Sequence, residues 1–129
     1  MSVGKTPIGK QLNGYSKTAK DFIRMGIVLN EKLIGYADLA CIKDNTAELG
    51  IAIGDTGLWG QGIGFHSAIC MIEHGSKKLG IRTFNAETHE ENIRSRKMLE
   101  KLGFQEISRN GSEEYLGMTS KLIQYRLKV

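Results

Sequence analysis

Glycine is concentrated in one short segment of this chain, and that segment constrains the fold more than any other feature. Six of the sixteen glycines fall between Gly50 and Gly64. Gly50 lies within an alternating segment, Thr46–Ile53, whose pattern predicts a strand, and the other five follow it. Residues 62–79 then show the apolar spacing of a helix. Because glycine lets the backbone approach a ligand and the first N–H groups of a helix lack partners within it, this junction is suited to bind an anion such as a pyrophosphate.

The loop at this junction consists of six residues, Trp59, Gly60, Gln61, Gly62, Ile63 and Gly64. Glycine stands at every second position, so the loop matches neither GxGxxG, the dinucleotide fingerprint, nor GxxxxGK[ST], the phosphate loop. Taken alone, the pattern is equally well explained by a structural turn. A nucleotide-binding or phosphate-binding domain of another kind is therefore one of the hypotheses that the loop leaves open.

Length and composition place the chain among globular domains. It has 129 residues, of which 40% are hydrophobic and 25% charged, and this suits a single domain. The net charge of +4 is spread along the chain without a long basic run, so nucleic-acid binding is not expected. Neither CxxC nor HExxH occurs, and we expect no metal site. No apolar run is long enough to span a membrane and no secretory signal is visible, which predicts a cytoplasmic protein.

The order of predicted elements indicates a mixed α/β sheet, mostly antiparallel, with helices packed on it. Residues 1–15 are expected to form a flexible lead-in, and 16–129 a single domain. Ser16 is a plausible cap for a short helix that Gly26 would end. The predicted elements are a helix over 17–25, strands over 26–30, 32–43 and 46–53, a helix over 62–79, a strand over 82–88, a helix over 91–102, and strands over 104–108 and 118–127.

Three segments together carry a resemblance to a known family. They are AELGIAI at residues 47–53, WGQGIG at 59–64 and ENIRSRKMLEKLGF at 91–104. This combination resembles the GNAT family of N-acetyltransferases, and within it the branch that includes the ribosomal-protein N-terminal acetyltransferases. The resemblance covers about residues 16–129. It implies the acyl-CoA N-acyltransferase fold, with the family's first strand and helix reduced or missing here.

The resemblance also implies a cofactor, acetyl-coenzyme A, and the residues that bind it. The backbone amides of the glycine loop would hold the pyrophosphate, and the main chain of Ile51 and Ile53 would pair with the pantetheine arm like an added strand. Asn92 would contact the pantetheine or the acetyl end, although a helix N-cap explains this residue equally well. The implied loop residues are Trp59, Gly60, Gln61, Gly62, Ile63 and Gly64.

Two residues are predicted to act in catalysis. Glu48 shares a strand face with Gly50 and Ala52, so it could accept the proton of an amine through a water, unless it is simply an exposed strand carboxylate. Ser95 falls on the inner face of its helix and could protonate the leaving thiolate, unless it is a small packing residue. The resemblance places Leu99 where many relatives have a tyrosine acid. Three further residues with weaker claims are His89 at the substrate cleft and Tyr115 or Tyr125 as the acid.

The sequence thus predicts an N-acetyltransferase that transfers an acetyl group to a primary amine by direct attack in a ternary complex. The acceptor would be a protein N-terminal α-amine or an amine-bearing small molecule. A catalytically degenerate module that binds coenzyme A without turnover is the alternative. Only about 25 residues precede the first predicted strand, where the family builds one wall of the acceptor cleft. We therefore expect an opened acceptor site that a second subunit, as in a homodimer, could complete.

Overall fold

Eight strands and two α-helices form the part of the chain that the computed structural model describes, namely residues 17–19, 21–54, 56–58, 60 and 62–129. A single 3-10 turn, Thr56–Leu58, follows the fourth strand. The elements are β1 (Lys17–Ala19), β2 (Phe22–Leu29), β3 (Lys32–Lys43), β4 (Thr46–Ile53), α1 (Ile63–Lys78), β5 (Thr83–His89), α2 (Ile93–Leu102), β6 (Gln105–Ser108), β7 (Ser112–Tyr115) and β8 (Met118–Lys128).

The strands form one mixed sheet in the order β1-β2-β3-β4-β5-β8-β6, and β7 pairs with β8 beside this path. Only the pairing of β4 with β5 is parallel among the described strands, so the sheet is mostly antiparallel, as predicted. The two parallel strands are in register at three positions only, the last of which joins Glu48 to Asn85. Because β4 continues to Ile53 and β5 to His89, the two strands separate beyond that pair and split the sheet.

Both helices pack on the same face of the sheet. Gly75 of α1 is buried, and a Cβ at this position would lie 3.0 Å from the ring of Phe84 in β5. Gly64 of α1 approaches α2 just as closely, since its Cβ would lie 3.3 Å from Met98 Sδ. The side chains that are buried most completely lie between these layers: Ile27, Leu39, Ile63, Ser67, Met71, Ile81, Phe84, Ile123 and Tyr125.

The predicted helix over residues 17–25 is wrong. Lys17–Ala19 and Phe22–Leu29 are the antiparallel strands β1 and β2, and Gly26 pairs with Tyr36 of β3 instead of ending a helix. Ile23 and Ile27 of this segment are buried. Pairing with a neighbouring strand stabilises the segment more than a marginal helix of about nine residues could. The predicted lead-in, 1–15, and the predicted cap, Ser16, lie outside the described residues. Within the described part, the first strand has three residues and no α-helix precedes α1.

The remaining elements lie close to their predicted positions, with one addition. The two-residue turns Asn30–Glu31 and Asp44–Asn45 connect β2 to β3 and β3 to β4, and all four residues have positive φ, as tight hairpins require. The strand β7 was not predicted, because Ser112–Tyr115 reads SEEY and lacks an apolar alternation. It turns back through Leu116 and Gly117 to pair with β8.

Candidate active site

A cavity of about 320 Å³ lies where β4 and β5 separate. Its lining alternates between the two faces of β5: Ala86 and Thr88 come from the buried positions, and Glu87 and His89 from the opposite face. Successive strand residues point to opposite faces, so the cavity extends through the sheet at the split. One end therefore lies beside the helices, and the other opens on the face that carries Glu87 and His89.

The helix α1 begins directly beside this cavity. Ile51 and Met98 line the cavity, and both lie within 4 Å of the position that a Cβ on Gly64 would take in the first turn. Gly62, the N-cap, has φ of 81° and provides no side-chain cap, and the first turn contains no acidic residue. The first N–H groups of a long helix thus lie unblocked by a cap beside the cavity, which favours an anion there.

The other loop glycine supports the same geometry. Gly60 has φ of 82°, and no atom lies within 4 Å of the position that a Cβ would take there, so the backbone is open on one side. Ile63 is buried in the core and fixes the start of α1. A positive charge lies close by, because Lys101 Nζ of α2 is 4.4 Å from the ring centroid of Phe65 in the first turn. Trp59 and Gln61, which were predicted to bind the cofactor, lie outside the described residues.

The residues present fit a long cofactor with an anionic end. Gly50 lines the cavity, and a Cβ there would meet only the Asp38 side chain, at 3.8 Å or more, so the strand leaves room beside it. Ile51 lines the same cavity, whereas Ile53 contributes its side chain to the packing around Gly64. A slot bounded by strand backbone and ending at a helix N-terminus matches the pantetheine arm and pyrophosphate of coenzyme A.

Asn92 and Ser95 both line the cavity from α2. The Oδ1 atom of Asn92 accepts a hydrogen bond of 3.1 Å from the backbone N–H of Ser95. Asn92 is therefore a helix N-cap, which was one of its two interpretations. Because it also lines the cavity, its predicted contact with the cofactor stays a prediction. Ser95 is half-buried at the cavity wall, where its hydroxyl can meet a bound group.

Glu48 occupies the last register pair before the strands separate, opposite Asn85. Its side chain is exposed and lies on the face of Gly50 and Ala52, as the alternation predicted. It is not among the residues that line the cavity, and its role as the base stays a prediction.

Three residues bear on which group could be the acid: Leu99, at the position where many relatives have tyrosine, and the two candidates Tyr115 and Tyr125. Leu99 lines the cavity and is buried, so an apolar group stands where many relatives have tyrosine. Tyr125 is buried, and its hydroxyl accepts a hydrogen bond of 3.2 Å from Nε of Arg96, which holds it in the core away from the cavity. Tyr115 stacks on His89, with ring centroids 4.6 Å apart.

The end of the cavity on the face of Glu87 contains His89, which was predicted as a weaker candidate for the substrate cleft, and two carboxylates that were not predicted. His89 lines this end, and its Nδ1 atom is buried without a hydrogen-bond partner among the residues that the structure describes. An unsatisfied buried polar atom costs about 1–3 kcal/mol, so its presence needs an explanation. Glu113 of β7 lines the same end, as does Glu87, which accepts a hydrogen bond of 2.8 Å from Nε2 of Gln124. The missed strand β7 is why sequence reasoning did not find Glu113.

Two expectations about absent features apply to the described residues. There, no group of three or more His, Cys, Asp or Glu side chains is arranged to hold a metal ion. No helix in that part of the chain is long and apolar enough to cross a membrane.

Comparison with known proteins places the chain in a family. The family model of the acetyltransferase (GNAT) domain matches residues 9–105. A protein of Methanocaldococcus jannaschii, described only as uncharacterized, is 32% identical over 83 residues, which are 64% of this chain and 17% of that protein. The chain thus spans less than a fifth of this curated relative.

Solved structures with low sequence identity share the fold. A probable acetyltransferase superposes with a TM-score of 0.76 at 24% identity over 84% of this chain and 63% of that one. A dodecameric spermidine N-acetyltransferase from Vibrio cholerae gives 0.76 at 18% identity, over 84% of this chain and 66% of that one. A ribosomal alpha-N-protein acetyltransferase in complex with coenzyme A gives 0.75 at 20% identity, over 84% and 63%.

The family match and the shared fold agree with the split sheet and the glycine loop beside it. The chain is an acetyltransferase domain of the GNAT family.

Proposed function

We propose that this domain transfers the acetyl group of acetyl-coenzyme A to a primary amine by direct attack in a ternary complex. The observation that carries the proposal is the continuity of three features: the split between β4 and β5, the cavity that passes through it, and the N-terminus of α1 at its edge. The spermidine and ribosomal-protein acetyltransferases that share the fold act on amines, which supports the choice of acceptor class. The acceptor is a small-molecule amine or a protein N-terminal α-amine.

The cofactor would supply an activated thioester, and the chain would supply the groups that position it. The amides of the loop, with Gly62 and Gly64 at their centre, would hold the pyrophosphate at the helix N-terminus. The backbone of β4 at Ile51 and Ile53 would face the pantetheine arm, with Asn92 across the cavity. Trp59, Gly60, Gln61 and Ile63 complete the loop that the proposal assigns to the cofactor.

The proton transfers are assigned to the chain's own side chains. Ser95, half-buried at the cavity wall, would donate its proton toward the leaving sulfur. Glu48, at the point where the strands separate, would accept the acceptor's proton through a water, because it does not itself line the cavity.

A module that binds coenzyme A without turnover is the second candidate function. The observation that favours it is Leu99, which lines the cavity and is only 3% exposed. With no hydroxyl at this position, protonation of the thiolate would depend on Ser95.

A coenzyme A release assay separates the two candidates. The wild-type domain is mixed with acetyl-coenzyme A and a panel of amines that includes spermidine and peptides with a free α-amine. Thermal stabilisation by acetyl-coenzyme A is measured in parallel. Stabilisation with turnover supports the enzyme, stabilisation without any product supports the binding module, and no stabilisation contradicts both.

The catalytic assignments are tested on the same acceptor. Glu48→Gln and Ser95→Ala should each reduce kcat while leaving the stabilisation by acetyl-coenzyme A unchanged, and a loss of about 100-fold is typical for one general acid or base. Asp21→Asn, an exposed carboxylate outside the strands, is the matched control for Glu48. Wild-type turnover in Glu48→Gln would remove Glu48 from the mechanism.

A homodimer that completes the acceptor site is part of the proposal. Glu48, Gly50 and Ala52 are exposed on the face of β4 opposite the helices, where a second copy could contribute to the acceptor site. Light scattering at several concentrations tests this, and a monomer with full activity on peptides would contradict it.

A further inference from the structure

We propose that His89 is the catalytic residue that removes the proton from the acceptor amine. This inference rests on the proposed transfer to an amine, and it competes with the assignment of Glu48 to the same role, so the experiments below are chosen to decide between the two residues. The geometry points to His89 because it combines three properties: it lines the cavity, it lies at the end opened by the split in the sheet, and it carries a buried ring nitrogen without a partner.

The position of His89 follows from strand alternation. Glu48 and Asn85 are the last register pair of β4 and β5, and His89 lies four residues further along β5 on the same face as Asn85. It therefore shares a sheet face with Glu48 but lies where the strands are fully apart. Its backbone carbonyl accepts a hydrogen bond of 2.9 Å from the N–H of Asn92, which ties the end of β5 to the start of α2.

The ring is held in place by stacking. Tyr115 of β7 lies nearly parallel to the imidazole, at an interplanar angle of 24° and a centroid separation of 4.6 Å. Stacking fixes the orientation of a side chain whose Nδ1 gains no hydrogen bond from the described part of the chain. A buried polar atom without a partner destabilises the fold, so a phenyl ring would serve packing better. Its retention is explained if the imidazole handles a proton.

The charged groups around His89 suit the approach of a cationic amine. Glu87, two residues away on the same strand face, and Glu113 of β7 line the same cavity. Glu90, the next residue along the chain, is paired with Arg109 at 3.4 Å. Asn92 and Ser95, which carry no charge, line the cavity at the start of α2. Leu122 of β8 pairs with His89 in the register of the sheet and also lines the cavity. The two carboxylates at the cavity attract a cationic amine.

The step itself is a proton transfer. One N–H bond of the acceptor's ammonium form breaks, its electron pair stays on the nitrogen to give the neutral amine, and a new N–H bond forms on the imidazole, which becomes an imidazolium. Imidazole is suited to this because it exchanges its proton near neutral pH. The electron pair left on the acceptor is the one that the acetyl transfer requires, and solvent takes the proton from His89 afterwards.

Two substitutions separate chemistry from packing. His89→Phe keeps a ring against Tyr115 and removes the unpartnered nitrogen, so its Tm should rise by a few degrees while kcat/KM falls by about 100-fold or more. His89→Gln keeps a polar group and should show the same loss of kcat/KM. His74→Gln, on α1 and outside the cavity lining, is the matched control and should retain wild-type kcat/KM.

The pH profile identifies the proton acceptor. In the wild-type enzyme, kcat/KM should fall as the pH drops below neutrality, and this acid limb should disappear in His89→Gln but persist in Glu48→Gln. A limb that persists in His89→Gln, or kcat/KM within about threefold of wild type in His89→Phe, would overturn the inference. Acetyl-coenzyme A should stabilise all variants equally, since His89 acts on the acceptor.

A readout independent of turnover completes the test. The imidazole resonances of ¹³C-labelled histidine are recorded with and without coenzyme A, and His89 is assigned by its absence in His89→Gln. A shift of the His89 resonance places it beside the bound group, whereas no shift despite thermal stabilisation contradicts the inference. If the wild type is neither stabilised nor active on any amine of the panel, the proposed function fails first, and the role of His89 fails with it.

Discussion

The backbone conformation of Gly62 in the glycine loop predicts whether alanine at this position stabilises or destabilises the fold. Gly62 has φ of 81°, and a Cβ there would meet nothing nearer than Cδ2 of His66 at 3.6 Å, an ordinary van der Waals contact. Gly62→Ala therefore introduces no steric clash, and the left-handed backbone alone costs about 1–2 kcal/mol. The lower entropy of the unfolded alanine chain offsets roughly 0.4–1 kcal/mol of that cost. A net loss of about 1 kcal/mol should lower Tm by roughly 3–4 °C.

Neighbouring glycines supply the controls for this prediction. Gly60 has almost the same φ, 82°, and open space around it, so Gly60→Ala should lose a similar amount. Gly64 lies within α1, where alanine gains about 1 kcal/mol of helix propensity, and its close neighbour is the end of a flexible methionine side chain. Gly64→Ala should therefore match or exceed the wild-type Tm. Asparagine tolerates the left-handed region, and Gly62→Asn should recover much of the loss.

The same variants test whether the loop binds the cofactor. If Gly62→Ala relieves its strain by shifting the loop, the first N–H groups of α1 move away from the phosphates. A charged hydrogen bond contributes about 1.5–3 kcal/mol, so the loss of one should weaken binding of acetyl-coenzyme A by roughly tenfold or more. The assay is thermal shift over a titration of acetyl-coenzyme A. A Gly62→Ala protein with wild-type Tm and wild-type affinity would refute both the backbone argument and the assignment of the loop.

Three further changes test other parts of the structure. Gly50→Leu should leave Tm within about 2 °C, because the strand position is exposed, yet abolish the thermal shift by acetyl-coenzyme A, because the side chain would stand in the cavity. Gly75→Ala should destabilise by roughly 1–2 kcal/mol in urea unfolding, because a Cβ 3.0 Å from the Phe84 ring overpacks the core by more than the helix propensity that alanine adds. The pKa of His74 lies below its ordinary 6.5, first because of burial and then because of Lys78, so the unfolded chain binds the proton more tightly and stability falls as the pH drops below 6.5. The difference between urea midpoints at about pH 8 and about pH 5.5 should therefore be smaller in His74→Gln than in the wild type.

The strand and the two helices beside the cavity could be predicted because their signals are local in sequence. The alternation of Thr46–Ile53, the glycine loop and the capped second helix each lie within one continuous segment, and the structure confirms the strand and both helices that these signals predict. Asn92 and Gly103 cap α2 as helix signals require, since Asn92 accepts a hydrogen bond from Ser95 and Gly103 has φ of 100°.

At the opposite end of the cavity the sequence predicted His89 only as a weaker candidate and missed Glu113, because these residues meet only through tertiary structure. His89 ends one strand, Glu113 belongs to another that lacks an apolar pattern, and the hairpin of β7 and β8 brings them together. The helix predicted over 17–25 failed for the same reason, since the pairing of Arg24 with Asp38 and of Gly26 with Tyr36 depends on a partner strand. Which residues of α1 are buried also depends on packing and not on hydrophobicity alone. The buried residues include Ser67 and Gly75, whereas Leu79, the C-cap of the helix, is exposed.

The register of β4 and β5 makes the choice between the two candidate bases a sharp one. Glu48 is level with Asn85, and His89 lies four residues further on, so the two side chains start at least roughly 13 Å apart along the strands. A single acceptor nitrogen cannot contact both, and a water relay from Glu48 would have to cross most of the split. Loss of the acid limb in only one of Glu48→Gln and His89→Gln would therefore locate the reacting amine along β5. If the acid limb is lost in both variants, the exposed Glu48 carboxylate must influence the pH profile through its electrostatic field at the cavity. Added salt screens such a field, so it should weaken the effect of Glu48→Gln and leave that of His89→Gln unchanged.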